Sequence, residues 1–198
     1  MKKLWVLLLC MVMAFSLAAC GSSDDSKADD QTKGYTVDEQ ATDLTIAGEG
    51  QKDAVYTADE LKALGETTLT YSGRNKKVEN ARQFFEYTGV DLKTVLKDAG
   101  FDTKNAILKI TCSDKYTVEY KVDDLYGLYA YANNESDERT EVIPMIAVVE
   151  PDADSEYPAP FKIVFGQADY DTYTNEEQDF NSQGWASYIQ YIEISYED

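Results

Sequence analysis

The sequence predicts an α+β domain in which β-structure dominates. Short alternating or apolar runs rich in β-branched and aromatic residues recur from residue 43 to the end. Between them only two segments carry a clear helical spacing, and glycines or polar clusters punctuate the rest. The order reads β, α, β, α and then five more strands: about seven strands, two or three short helices and no internal repeat.

The elements follow in turn. "DLTIAGEG" alternates and ends in glycines, as a strand entering a turn does. "YTADELKALG" is a short helix: Thr57 and Glu60 have capping-box spacing, Leu61 and Leu64 form the apolar stripe, and Gly65 stands at C′. "TTLTYSG" is a strand running into Gly73, and a basic loop is expected after it. "TGVDLKTVLKDAG" predicts the clearest helix, with Leu92, Val95, Leu96 and Ala99 on one face and Gly100 closing it. "AILKITC" and "YTVEYKV" flank Ser113, Asp114 and Lys115 as a hairpin. A helical turn is expected between Asp123 and Leu128, then a polar excursion. "VIPMIAVVE", "PFKIVFG" and "SYIQYIEIS" supply the last three strands. Acidic loops, Pro151 to Tyr157 and Asp169 to Asn181, separate these strands.

The amino-terminal region reads differently. Lys2 and Lys3 precede an apolar run from Leu4 to Phe15, which is short for a membrane span. Leu17-Ala18-Ala19-Cys20 then fits a bacterial lipoprotein signal, with cleavage before Cys20 and the lipid on its thiol. An ordinary secretory signal is the alternative. The organisation expected is a signal peptide over 1–19, a flexible tether over 20–42 and a domain over 43–198. The tether segment is polar and rich in Ser, Asp and Gly. It buries too little surface to offset the entropy of ordering it. The implied location is the cell membrane, by a lipid anchor, facing outside the cytoplasm.

Composition excludes several functions. With 18 Lys and Arg against 37 Asp and Glu the net charge is −19. Such a surface repels phosphate backbones, so nucleic acid is not an expected partner. There is no histidine. Ser-His and Cys-His nucleophiles, histidine bases and histidine metal ligands are therefore absent. Cys10 leaves with the signal and Cys20 carries lipid, so Cys112 is expected alone, as a buried, inert thiol at a strand end. The acidic loops hold Asp152, Asp154 and Glu156, and Asp169, Asp171, Asn175 and Glu177. They lack the glycine of an EF-hand and read as solvated loops. Tyr126, Tyr129 and Tyr131 are close in sequence. They read as half-buried sheet positions, with a flat-ligand surface as the alternative.

Four phrases in this order resemble the molybdopterin-binding domain of the sulfite oxidase family: "LTIAGEG" with "YTADELKAL"; "FFEYTGVDLKTVLKDAG"; "ILKITCSDKYTVEYKVDDL", with Lys115 where glycine is usual; and "YPAPFKIVFG" with the stretch from Trp185 to Ile194. The resemblance covers roughly residues 43 to 195. It implies a single domain of that type, with mixed sheets. In that family a cysteine thiolate binds molybdenum at the end of a strand, two residues before a glycine. Here Tyr71 stands at that position, ahead of Ser72, Gly73, Arg74 and Asn75. A phenol is a harder ligand with a far higher pKa than a thiolate. Only three arginines remain to hold a pterin phosphate.

The resemblance therefore implies the fold more strongly than the activity. The expected role is a binding module for a small anionic ligand or a partner protein, without a cofactor. Tyr71, Ser72, Gly73, Arg74 and Asn75 would line its cleft, with Lys76, Lys77 and Arg82 at the mouth. The alternatives are a molybdopterin-dependent oxidoreductase with unusual metal ligation, and a structural or adhesive surface module.

Overall fold

A computed structural model of the chain describes residues 35–74, 82–133, 138–167 and 184–197, with only the backbone described at Arg74 and Arg82. The leader, Cys20, the first part of the expected tether and the acidic loop around Asp171 lie outside the described residues. One compact unit runs from Tyr35. The domain thus starts earlier than the boundary at residue 43 expected from composition. Tyr35 stacks on Tyr191, with ring centroids 4.1 Å apart, and its hydroxyl donates to Gln190 Oε1 at 3.3 Å. The buried Gln190 amide also accepts from the Asp38 amide at 3.2 Å and donates to the Asp38 carbonyl and to Ser113 Oγ. One buried polar side chain satisfied in this way fixes the segment that composition alone assigned to the tether.

A five-stranded sheet has the order β2-β1-β11-β5-β6. Its strands are β1 (Leu44–Gly48), β2 (Ala54–Tyr56), β5 (Ala106–Cys112), β6 (Thr117–Lys121) and β11 (Ile189–Tyr196). β1 and β11 pair in parallel and their neighbours antiparallel, so the sheet is mixed. Ile46, Ile192, Ile110 and Val118 stand side by side across four strands and build one core row. Lys115 takes φ +68° in the β5–β6 turn, the left-handed geometry that usually selects glycine.

A four-stranded antiparallel sheet has the order β10-β9-β4-β3. It comprises β3 (Thr67–Arg74), β4 (Arg82–Asp91), β9 (Met145–Val148) and β10 (Phe161–Val164). Buried Val90, Ile146 and Ile163 form its core row. A small hairpin pairs β7 (Tyr129–Tyr131) with β8 (Arg139–Glu141). Asp123–Leu125 form a single 3-10 turn. The described strands thus include four that the sequence reading did not separate: β2, β4, β7 and β8.

Helix α1 (Ala58–Ala63) has the predicted capping box, with Thr57 Oγ1 accepting from the Glu60 amide and Glu60 accepting from the Thr57 amide. Helix α2 (Leu92–Asp98) begins four residues later than its phrase suggested. Thr88, Gly89 and Val90 belong to β4, and Asp91 caps the helix from the Thr94 amide at 3.3 Å. The cause is a close approach. A Cβ on Gly89 would stand 2.3 Å from the Ile146 carbonyl oxygen, so glycine lets β9 lie against β4. The expected stripe of Leu92, Val95, Leu96 and Ala99 is buried.

Candidate functional site

The segment expected to hold the site is the β3–β4 hairpin. Tyr71 pairs with Phe85 and Leu69 with Tyr87, which places these four side chains on one sheet face. Trp185, from the chain just before β11, stands edge-on to three of the rings, with centroids 5.9 Å from Tyr71, 5.6 Å from Phe85 and 5.6 Å from Tyr87. Such geometry matches the quadrupoles of the rings. Trp185 is itself fixed by its indole N–H, which donates to the Phe165 carbonyl at 3.0 Å. The Tyr120 hydroxyl holds the preceding residue through the Gly184 carbonyl, and the Ile163 amide holds the following one through the Ala186 carbonyl at 3.0 Å.

Tyr71 has no solvent-exposed surface. Its hydroxyl donates to the Ile143 carbonyl at 2.6 Å. Burial, and then the charge of Asp91, push the phenol's pKa up, so it stays neutral at ordinary pH. Ser72 is likewise buried: its hydroxyl accepts from the Tyr131 amide at 2.8 Å, and its carbonyl accepts from the Gln167 side-chain amide at 2.8 Å. Gly73 is buried opposite Gln83. These three residues, expected to line a cleft, are instead engaged in internal contacts, because β3 is covered on one face by Trp185 and pinned to β7 through the other. Arg74 and Arg82 face each other as the last described pair of the hairpin, so they extend strands rather than open a loop. Asn75, Lys76 and Lys77 lie outside the described residues, as do the side chains of Arg74 and Arg82.

The donor set bears on metal chemistry. A phenol that keeps its proton and donates it to a carbonyl is not a metal ligand as it stands. Cys112 ends β5 in the other sheet, and burial followed by the Asp114 charge pushes its thiol up to about 12. No cluster of three or more Cys, Asp or Glu suited to a metal occurs among the described residues. The residues at the position of the expected thiolate do not fit a molybdenum centre of the family's type.

The three tyrosines read together in the sequence part company. Tyr126 donates to Asp91 at 2.6 Å, accepts from the Lys93 amide at 2.9 Å and lies under the Lys93 ammonium. Tyr129 and Tyr131 meet edge-on at 5.5 Å beneath the Arg139 guanidinium.

One residue on the Tyr71 face went unnoticed in the sequence. Lys162 pairs with Ala147, and Ala147 with Gly89, so two very small residues separate it from Tyr87. Its ammonium lies 5.5 Å from the Tyr87 ring and 5.8 Å from Trp185. Burial lowers its pKa, and no carboxylate pairs with it among the described residues. The signal was present in "PFKIVFG": a single base inside an apolar strand.

No protein-family model and no curated protein matches the chain. A solved structure does. The sulfane dehydrogenase SoxCD from Paracoccus pantotrophus is similar over 82% of this chain, with a TM-score of 0.51 and 17% identity. The chain spans 40% of the length of that one. At this identity the likeness is one of fold. It extends to a β-dominated architecture with mixed sheets and few helices, shared with a dehydrogenase.

Proposed function

We propose that the chain is a lipid-anchored, extracytoplasmic binding module built on a sulfite-oxidase-type molybdopterin-binding fold without the metal-ligating cysteine. The observation that carries this reading is Tyr71. At the position where the resemblance puts a thiolate, a buried neutral phenol donates to Ile143. The likeness in fold to a sulfane dehydrogenase supports the ancestry, and the donor chemistry argues against inherited metal ligation. The ligand expected is a small anion or a segment of a partner protein, reaching the same hairpin face.

The test is elemental. The protein is expressed in a host that makes molybdopterin, and molybdenum and pterin are quantified against protein. The expected content is far below one per chain. Stoichiometric metal would replace this reading with the second, an oxidoreductase with unusual ligation, which the dehydrogenase likeness favours. In that case Tyr71→Phe decides whether the phenol is the ligand: a tyrosinate ligand predicts loss of metal, and any other ligand predicts none.

A further inference from the structure

We infer that Lys162, Tyr87 and Trp185 form a binding site for a small planar carboxylate, the ammonium pairing with the anion and the rings packing its flat apolar body. The inference rests on the binding-module reading and supplies its ligand class. The first argument is charge. In a chain of net charge −19, acids outnumber bases two to one, yet this ammonium has no acid partner among the described residues. Lys93, Lys115 and Lys121 pair with Asp123, Glu39 and Glu197, and the other unpaired lysines, such as Lys52, Lys97, Lys104 and Lys109, are exposed to water, whereas Lys162 is drawn in from it. A lysine drawn in from water without a counter-charge costs stability, and an apolar residue on this strand would fold better.

The second argument is access. No described buried side-chain nitrogen or oxygen lacks a hydrogen-bond partner. The Lys162 ammonium has none, so it keeps some contact with solvent, the side from which an anion would approach. The third is shape. Gly89 and Ala147 raise almost no side chain between Lys162 and Tyr87. Phe85 and Tyr87 are stacked with centroids 6.2 Å apart, both partly buried, with the buried Trp185 edge-on to them. Rings of this kind favour a flat apolar body, and one ammonium matches one negative charge. The backbone on both sides of Lys162 is paired, to Ala147 and to Ser187, so the site is rigid before any ligand arrives.

The experiment titrates the full chain in detergent with benzoate and with its neutral isostere benzamide. Trp185 is the sole tryptophan once the leader is cleaved, Trp5→Phe makes it so where the leader is retained, and its fluorescence is the readout. Benzoate is expected to give a saturable change and benzamide binding at least about tenfold weaker, the loss of one charge-assisted contact. Lys162→Arg should keep benzoate affinity within about threefold, and Lys162→Met should weaken it about tenfold or more while melting no lower than the parent. Equal binding of benzoate and benzamide, or unchanged benzoate affinity in Lys162→Met, would overturn the site. If Lys162→Met does not fold, the benzoate–benzamide ratio in the parent and in Lys162→Arg still decides. Molybdenum in the same preparation would overturn the binding-module reading whatever benzoate does. A metal-poor preparation that ignores the charge of the probe removes only the Lys162 site.

Discussion

Tyr71 and Lys162 occupy the same face of the same sheet, near the same tryptophan, and they make opposite use of burial. Tyr71 is wholly enclosed and its one donor is matched by the Ile143 carbonyl. Lys162 is largely enclosed, and its charge meets ring faces but no carboxylate among the described residues. A polar group that is buried and satisfied holds a scaffold together. A charge that is drawn part-way out of water without a counter-charge lowers stability and leaves its head open to an anion from outside. The residue that stands at the expected metal position therefore belongs to the scaffold, and the recognition chemistry we infer falls to the less conspicuous lysine.

The contrast can be broken at several strengths. Tyr71→Ala removes a buried ring from the Trp185 cluster and is expected to destabilise by about 3–5 kcal/mol in a urea titration. A loss below 1 kcal/mol would mean the ring is not structural. Gly89→Ala forces a methyl against the Ile146 carbonyl and should cost about 1–3 kcal/mol, with β9 displaced from β4. Hydrogen exchange of β9 amides would show that displacement, and unchanged protection would count against it. Tyr71→Phe keeps the ring and strands the Ile143 carbonyl, for a loss of about 1 kcal/mol. Thr57→Ala, far from the site, should cost a comparable amount, about 1 kcal/mol, through the α1 cap.

The smallest effect is the most specific to Lys162. Its pKa is lowered in the fold from 10.5. Below 10.5 but above the folded value, the unfolded chain binds the extra proton, so stability rises with pH across that interval. The difference in unfolding free energy between the parent and Lys162→Met should therefore move in the parent's favour as pH is raised towards 10.5. A flat difference would show that the ammonium is no worse solvated folded than unfolded. Above pH 10 the buried tyrosines act the other way. Tyr71, Tyr120 and Tyr126 hold raised values, the unfolded phenols ionise first, and stability falls.

Features set by neighbours in sequence were legible. The Thr57–Glu60 box, the Leu92–Ala99 stripe and the β5–β6 hairpin each depend on spacings of a few residues, and each is present in the fold. β4 was not legible, because the phrase from Phe84 to Asp91 leads straight into a helix and the helical period was read backward past Asp91. Its strand character comes from pairing with β3 and β9, and Gly89 owes its place to a backbone that only the folded sheet supplies. Tyr71 drew notice by position, yet its satisfaction by Ile143, 72 residues away, has no local signature. Lys162 was hidden for the same reason, since Tyr87 and Trp185 lie on other elements. The segment from Tyr35 to Thr42 looked like a linker because its contacts run to Gln190 and Tyr191, at the far end of the chain.

That last contact has a mechanical meaning. A chain held by its amino end passes tension first into the Tyr35–Asp38 strap, which grips the final strand through Gln190. The next element, β1, lies beside that same strand in parallel register, with Ile46 opposite Ile192. Strap and β1 both lean on the last strand, so the first and last parts of the described domain are held to each other. The Tyr35–Asp38 strap is a clasp that closes the domain on itself.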